Sequence, residues 1–151
     1  MEASLMHLRQ NRVVLDQYFQ RYNPEQLNTV PAGFNNNLIW NLGHILVVQQ
    51  ALTYRLSGLE MRIPGDLPGR YGRDTRPEGP VPQSEITLIR NLLSGSIAQL
   101  EADRAQGLFQ QYKPFENSMG FRMTNLEEAL VFNCLHEGLH LGYMQAIRKF
   151  L

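Results

Sequence analysis

The sequence predicts an all-α protein built as a four-helix bundle. Apolar residues recur at a helical period in four segments, no stretch shows sustained strict alternation, and Pro and Gly gather in the connections. With 151 residues, 43% of them apolar, the chain suits one domain over 1–151 with a sizeable core.

The first helix is expected from about Ala3 to Tyr22, where Leu5, Leu8, Leu15, Phe19 and Tyr22 share a face. Asn23-Pro24 should end it, because proline crowds the preceding residue out of helical geometry. Pro31-Ala32-Gly33 reads as loop, and Asn35-Asn36-Asn37 offers capping side chains to a second helix, about Asn37 to Leu56, with Gly58 as its stop. A crossover from Glu60 to Gln83 follows. Its Pro64, Gly65, Pro68, Gly69, Gly72, Pro77, Gly79, Pro80 and Pro82 argue against a regular helix, and its length marks a functional or disordered loop. Ser84 can cap a third helix with the stripe Ile86, Ile89, Leu93, Ile97 and Leu100, fraying near Gly107. A second irregular stretch runs through Pro114 and Gly120. Thr124 and Glu127 then read as a capping box for a fourth helix that continues to the chain end.

Charge narrows the function classes. Fourteen basic and 14 acidic residues cancel, which removes the electrostatic footprint of a nucleic-acid partner. No apolar run approaches the roughly 18 residues that cross a bilayer, so no membrane partner is expected. Met1 to Gln10 lacks the basic head and apolar run of a secretory leader. The one cysteine, Cys134, cannot close an internal disulfide and suits a reducing compartment. A cytoplasmic protein is the expectation.

The chemistry lies with the histidines. On the fourth helix, Leu126, Ala129, Asn133, His136, His140, Met144, Ile147 and Leu151 form the inner stripe. His136 and His140 are one turn apart, about 6 Å along the axis, and two imidazoles at that spacing can converge on one ion. His44 shares the core face of the second helix with Trp40, Val48 and Ala51, which sends a third imidazole inward. A lone histidine on an apolar face is more often a core residue with one hydrogen bond, but a pair on one core face and a third on another point to a metal site. His7 is an ordinary polar flank. Gly43, Gly138 and Gly142 each cost about 1 kcal/mol against alanine inside a helix, which suggests close backbone approach beside the site.

Residues 136–140 spell His-Glu-Gly-Leu-His, the H-E-x-x-H pattern of zinc proteases. Two features oppose that assignment. No His, Asp or Glu follows His140 to complete such a site, and no strand is expected to align a peptide. Glu137 falls on the flank of the inner stripe, where it can be a catalytic base, a partner of a ligand, or an ion-paired carboxylate.

Asn37-Leu-Ile-Trp40-Asn-Leu-Gly43-His44-Ile45 and His136-Glu-Gly-Leu-His140-Leu-Gly142-Tyr-Met resemble the two signatures of the DinB-like superfamily of bacterial damage-inducible-type four-helix bundles. The resemblance covers the whole chain. It implies an up-down-down-up bundle with a long crossover between helices 2 and 3, a divalent metal held by His44, His136 and His140, and frequent homodimers. Members often carry glutamine after the glycine that follows the last histidine; this chain has Tyr143.

Three imidazoles leave an open coordination position, as catalytic sites do, and suit zinc, nickel or iron alike. Some family members resemble thiol-dependent S-transferases and isomerases. That likeness implies a metal that binds and activates a low-molecular-weight thiol for attack on a small-molecule electrophile. Arg62, Arg70, Arg73 and Arg76 of the crossover are available for an acidic substrate. The expectation is a metal-dependent transferase or hydrolase, against a non-catalytic bundle with structural histidines or a dimeric interaction module. The apolar back of the second helix, Ile39, Leu42 and Leu46, should be covered by another subunit or by the crossover.

Overall fold

A computed structural model describes residues 1–151, and helices dominate it. Helix α1 (Glu2–Arg21) turns Leu5, Leu8, Arg12, Leu15 and Tyr18 inward, the spacing of one helical face. Asn23-Pro24 ends it but also restarts the chain. Asn23 accepts from the Gln26 amide while Gln26 accepts from the Asn23 amide, and this capping box opens the single turn α2 (Pro24–Asn28).

Helix α3 (Leu38–Thr53) starts on Asn37, whose side chain accepts from the Trp40 amide. It ends before Leu56: the chain tightens into a 3-10 turn over Arg55–Ser57 and leaves through Gly58 at φ +72°. Every residue of α3 except Val48 is buried. Ile39, Leu42 and Leu46 are at most 1% exposed and belong to a core with Leu67, Tyr71, Ile86, Ile89 and Leu93. The crossover and the third long helix cover that back, so it gives no argument for a second subunit.

The crossover holds one regular turn that its composition argued against, α4 (Leu67–Tyr71), pinned by burial of Leu67 and Tyr71. Helix α5 (Gln83–Ala105) has Pro82 in its capping position with no side-chain cap, so Ser84 lies inside the first turn rather than capping it. Phe115–Glu116 (β1) and Arg122–Met123 (β2) pair antiparallel, a short hairpin where no strand was expected. Helix α6 (Leu126–Ile147) is capped one residue later than expected. Asn125 accepts from the Glu128 amide, and the Glu128 carboxylate accepts from the amide and hydroxyl of Thr124. Asparagine caps at least as well as threonine, and Glu127 is left to pair with the terminal ammonium of Met1. A 3-10 turn, Arg148–Phe150, follows α6. No helix is long and apolar enough to cross a membrane.

Helix α3 packs chiefly on α6 and also on α5, while α1 packs on α5 and α6. A buried ion pair joins three of them. The Arg12 guanidinium donates to both Glu137 oxygens at 2.9 Å and to Ser96 Oγ at 3.1 Å. Asn11 and Asn133 donate to the same carboxylate at 2.9 and 3.0 Å. Glu137 is 0% exposed and Arg12 7%. Removing one partner would leave the other charged and buried without compensation, which costs about 3–5 kcal/mol. Arg12→Ala is therefore expected to lower the unfolding free energy in urea by about that amount; a loss below about 1 kcal/mol, the range of exposed pairs, would contradict it.

Candidate metal centre

Helices α3 and α6 bring the three expected imidazoles together. One ring nitrogen from each of His44, His136 and His140 lies within 4.8 Å of the others. Ring centroids are 5.2 Å apart for His44–His136, 4.8 Å for His44–His140 and 4.6 Å for His136–His140. Tetrahedral coordination at roughly 2.0–2.1 Å needs nitrogens about 3.3 Å apart, so small ring rotations close the gap.

Two of the rings have their tautomer set from behind. His44 Nδ1 is 2.7 Å from the Tyr71 carbonyl, which only accepts, so Nδ1 carries the proton and Nε2 is left free. His140 Nδ1 is 2.7 Å from Asn41 Oδ1. The Asn41 amide nitrogen already donates to Asn36 Oδ1 and the Asn37 carbonyl, so its oxygen must accept from His140. His136 Nδ1 is buried and has no hydrogen-bond partner. An orphaned ring nitrogen beside two oriented imidazoles fits a divalent cation.

Burial keeps the cluster neutral. It lowers the pKa of His136 to about 3, with the His140 and His44 rings adding to the effect. His140 is lowered to about 4, again chiefly by burial. His44 is lowered by burial, partly offset by the backbone at Tyr71 and Gly72. Neutral imidazole is the form that binds metal, so no proton has to leave at neutral pH.

The surroundings hold the rings in place. Trp40 stacks on His44 with centroids 4.7 Å apart, and its indole donates to Thr75 Oγ1 in the crossover. Gly43 allows the close approach: a Cβ there would sit 2.4 Å from the Tyr71 ring, whose backbone holds His44. Gly138 and Gly142 meet nothing within 4 Å, so close approach does not explain them.

Glu137 is not part of the convergence. Its carboxylate is held by Arg12, Asn11 and Asn133, away from the three rings. His7 is exposed and apart. Cys134 is half-buried against the Ser4 carbonyl, with its thiol pKa pushed up by burial.

A cavity of about 470 Å³ opens beside His44 and His136, walled by Leu52, Phe132, Phe115 and Met119 and flanked by Arg55 and Arg73. Of the crossover arginines considered from sequence, Arg73 alone reaches it. Arg62 pairs with Asp103, and Arg70 pairs with Glu85. Arg76 lines a separate hollow beside Trp40. Arg55 and Asn41 were missed. Arg55 continues the spacing of His44, Val48 and Ala51, and Asn41 is a buried polar group in the same helix that needed a partner.

Asn41→Ala is expected to weaken metal binding about 10–100-fold in chelator competition, the usual cost of losing a partner that orients a ligand. Unchanged affinity would show that His140 needs no such partner.

No curated protein matches the chain as a relative. A family model of the DinB superfamily matches residues 7–144, a span that includes His44, His136 and His140. The chain therefore belongs to the DinB superfamily.

Proposed function

We propose that this protein is a divalent-metal-dependent enzyme acting on a small molecule, with His44, His136 and His140 as the metal ligands. The carrying observation is that three neutral imidazoles from two helices converge beside an accessible cavity. A closed structural site would have a fourth protein ligand, and no Cys, Asp or Glu joins this group. Zinc, nickel and iron all suit the donor set.

When bound, a divalent ion supplies Lewis acidity and stabilises an anionic sulfur or oxygen. The chain's own groups do the rest. Tyr71 and Asn41 keep the Nδ1 protons of His44 and His140, so Nε2 of each is the nitrogen left with a lone pair to offer an ion. Leu52, Phe132, Phe115 and Met119 line the approach and exclude water from a bound substrate. Glu137, saturated by its partners, fixes α6 against α1 and takes no part in proton transfer. We assign the reaction to the thiol-dependent S-transferase or hydrolase class, which the family resemblance supports for the thiol and the open coordination position supports for either.

The same reading gives the four long helices the up-down-down-up order. Supporting pairs are Met1–Glu127 and Arg12–Glu137 between α1 and α6, Arg9–Glu101 and Arg90–Asp16 between α1 and α5, and Tyr54–Asp103 just past α3 against α5. A homodimer is also proposed, seated on the outer face of α6. There Val131, Leu135 and Leu139 are 57%, 42% and 52% exposed at four-residue spacing. Sedimentation is expected to show a dimer that Leu135→Glu dissociates; a wild-type monomer would remove this assignment.

Elemental analysis of protein purified without an affinity tag tests the metal. About one equivalent per chain is expected in the wild type, and none when His44, His136 and His140 are all replaced by alanine. Absence of metal from the wild type after incubation with zinc, nickel or iron would leave a non-catalytic bundle with core histidines.

A further inference from the structure

The cavity beside the histidines carries charge of one sign. Arg55 and Arg73 are its only Arg, Lys, Asp or Glu lining residues. Arg55 has no ion-pair partner. Arg73 has only a loose one, Asp74 at 3.6 Å, and both of those side chains are largely exposed. The crossover arginines with firm carboxylate partners point elsewhere, Arg62 at Asp103 and Arg70 at Glu85.

Apart from Asn117, Ser118 and the two histidines, the rest of the wall is apolar, and some of it is apolar at a cost. Phe115 and Met119, on and beside the hairpin, are 38% and 58% exposed and both line the cavity with Leu52 and Phe132. Exposed side chains of this size around a concave site are the lining a ligand with an apolar body would cover.

The two arginines also have a fixed place relative to the histidines. Arg55 lies eleven residues after His44 (55 − 44) along one chain segment, roughly 16 Å at a helical rise, less the reach of the two side chains. Arg73 follows Gly72, next to the carbonyl that holds His44. A molecule anchored on Arg55 would extend its other end toward Arg73, His44 and His136.

We propose that the substrate is an organic carboxylate with an apolar body, its carboxylate held by Arg55 at the end of the cavity away from His44, with Arg73 adding positive charge along the way and the substrate's reacting end at the three histidines. This rests on the metal-centre reading for the histidine end and on the arginine pair for the other. Guanidinium matches carboxylate with two parallel N–H···O bonds, and pairing next to an apolar wall strengthens them. Arg55 and Arg73 therefore select which molecules reach the histidines.

The test uses the full-length protein loaded with Co(II), whose visible absorption reports the histidine site. The probes are 4-phenylbutyrate, its uncharged amide and 3-phenylpropyl phosphate, followed by titration calorimetry. The carboxylate is expected to bind at least about tenfold more tightly than the amide, because a hydrogen bond to a charged group is the stronger kind. Arg55→Gln and Arg73→Gln should each weaken it about tenfold while leaving the Co(II) band unchanged. Equal binding of acid and amide would overturn the proposal, and so would full retention of carboxylate binding in the double variant. Phosphate binding tenfold tighter than carboxylate would overturn the carboxylate assignment. Failure of Co(II) to bind would remove the metal reading instead, and the metal-free protein still reports the arginines through the same three probes.

Discussion

Water does not reach most of α3, so each buried polar side chain on it must find a partner inside the protein. All of them do. Asn41 is tied to Asn36, Asn37 and His140; Gln50 accepts from the Arg62 amide; Thr53 and Gln49 satisfy each other; His44 gives its Nδ1 proton to Tyr71. An unmet group there costs about 1–3 kcal/mol, so these bonds fix where the crossover and α6 can lie against α3. The three-histidine cluster is one outcome of that constraint. The same bonds that satisfy α3 choose the tautomers of two of the cluster's rings and press Tyr71 onto Gly43.

The H-E-x-x-H pattern divides between two environments. Consecutive helical residues point about 100° apart, so His136 and Glu137 are free to meet different neighbours. On α6, His136 and His140 turn to α3, while Glu137 turns to α1 and meets Arg12 and Asn11. A zinc protease needs the glutamate beside the ion; here the carboxylate is used to lock two helices together. The shared pattern thus serves different ends because a different helix waits at the glutamate.

Much of the site was legible because a helix repeats every 3.6 residues. That period alone put His136 and His140 on one face and His44 on the core face of its helix, and the structure brings the three together. Gly43 is a close-approach position as expected, although what approaches it is the Tyr71 ring rather than a neighbouring backbone. The expectation fails at Gly138 and Gly142, since a glycine in sequence does not say whether its missing side chain faces a neighbour or open space. The cap of α6 slipped by one residue because Thr124 and Asn125 both suit it, and their competition is settled by which backbone amide each can reach. Arg55 escaped notice although it continues the face of His44, Val48 and Ala51, because the sequence does not show that a cavity, rather than open solvent, lies against that end of the face.

Periodicity, capping residues and proline are local properties, so the amino-acid order by itself determined the long helices, the inward faces and the three imidazoles. What covers α3, which arginine reaches the cavity and where Glu137 finds its partner involve residues 12 to 126 positions apart in sequence. Those outcomes depend on how whole helices settle against one another to satisfy buried polar groups. Only the tertiary structure decided them.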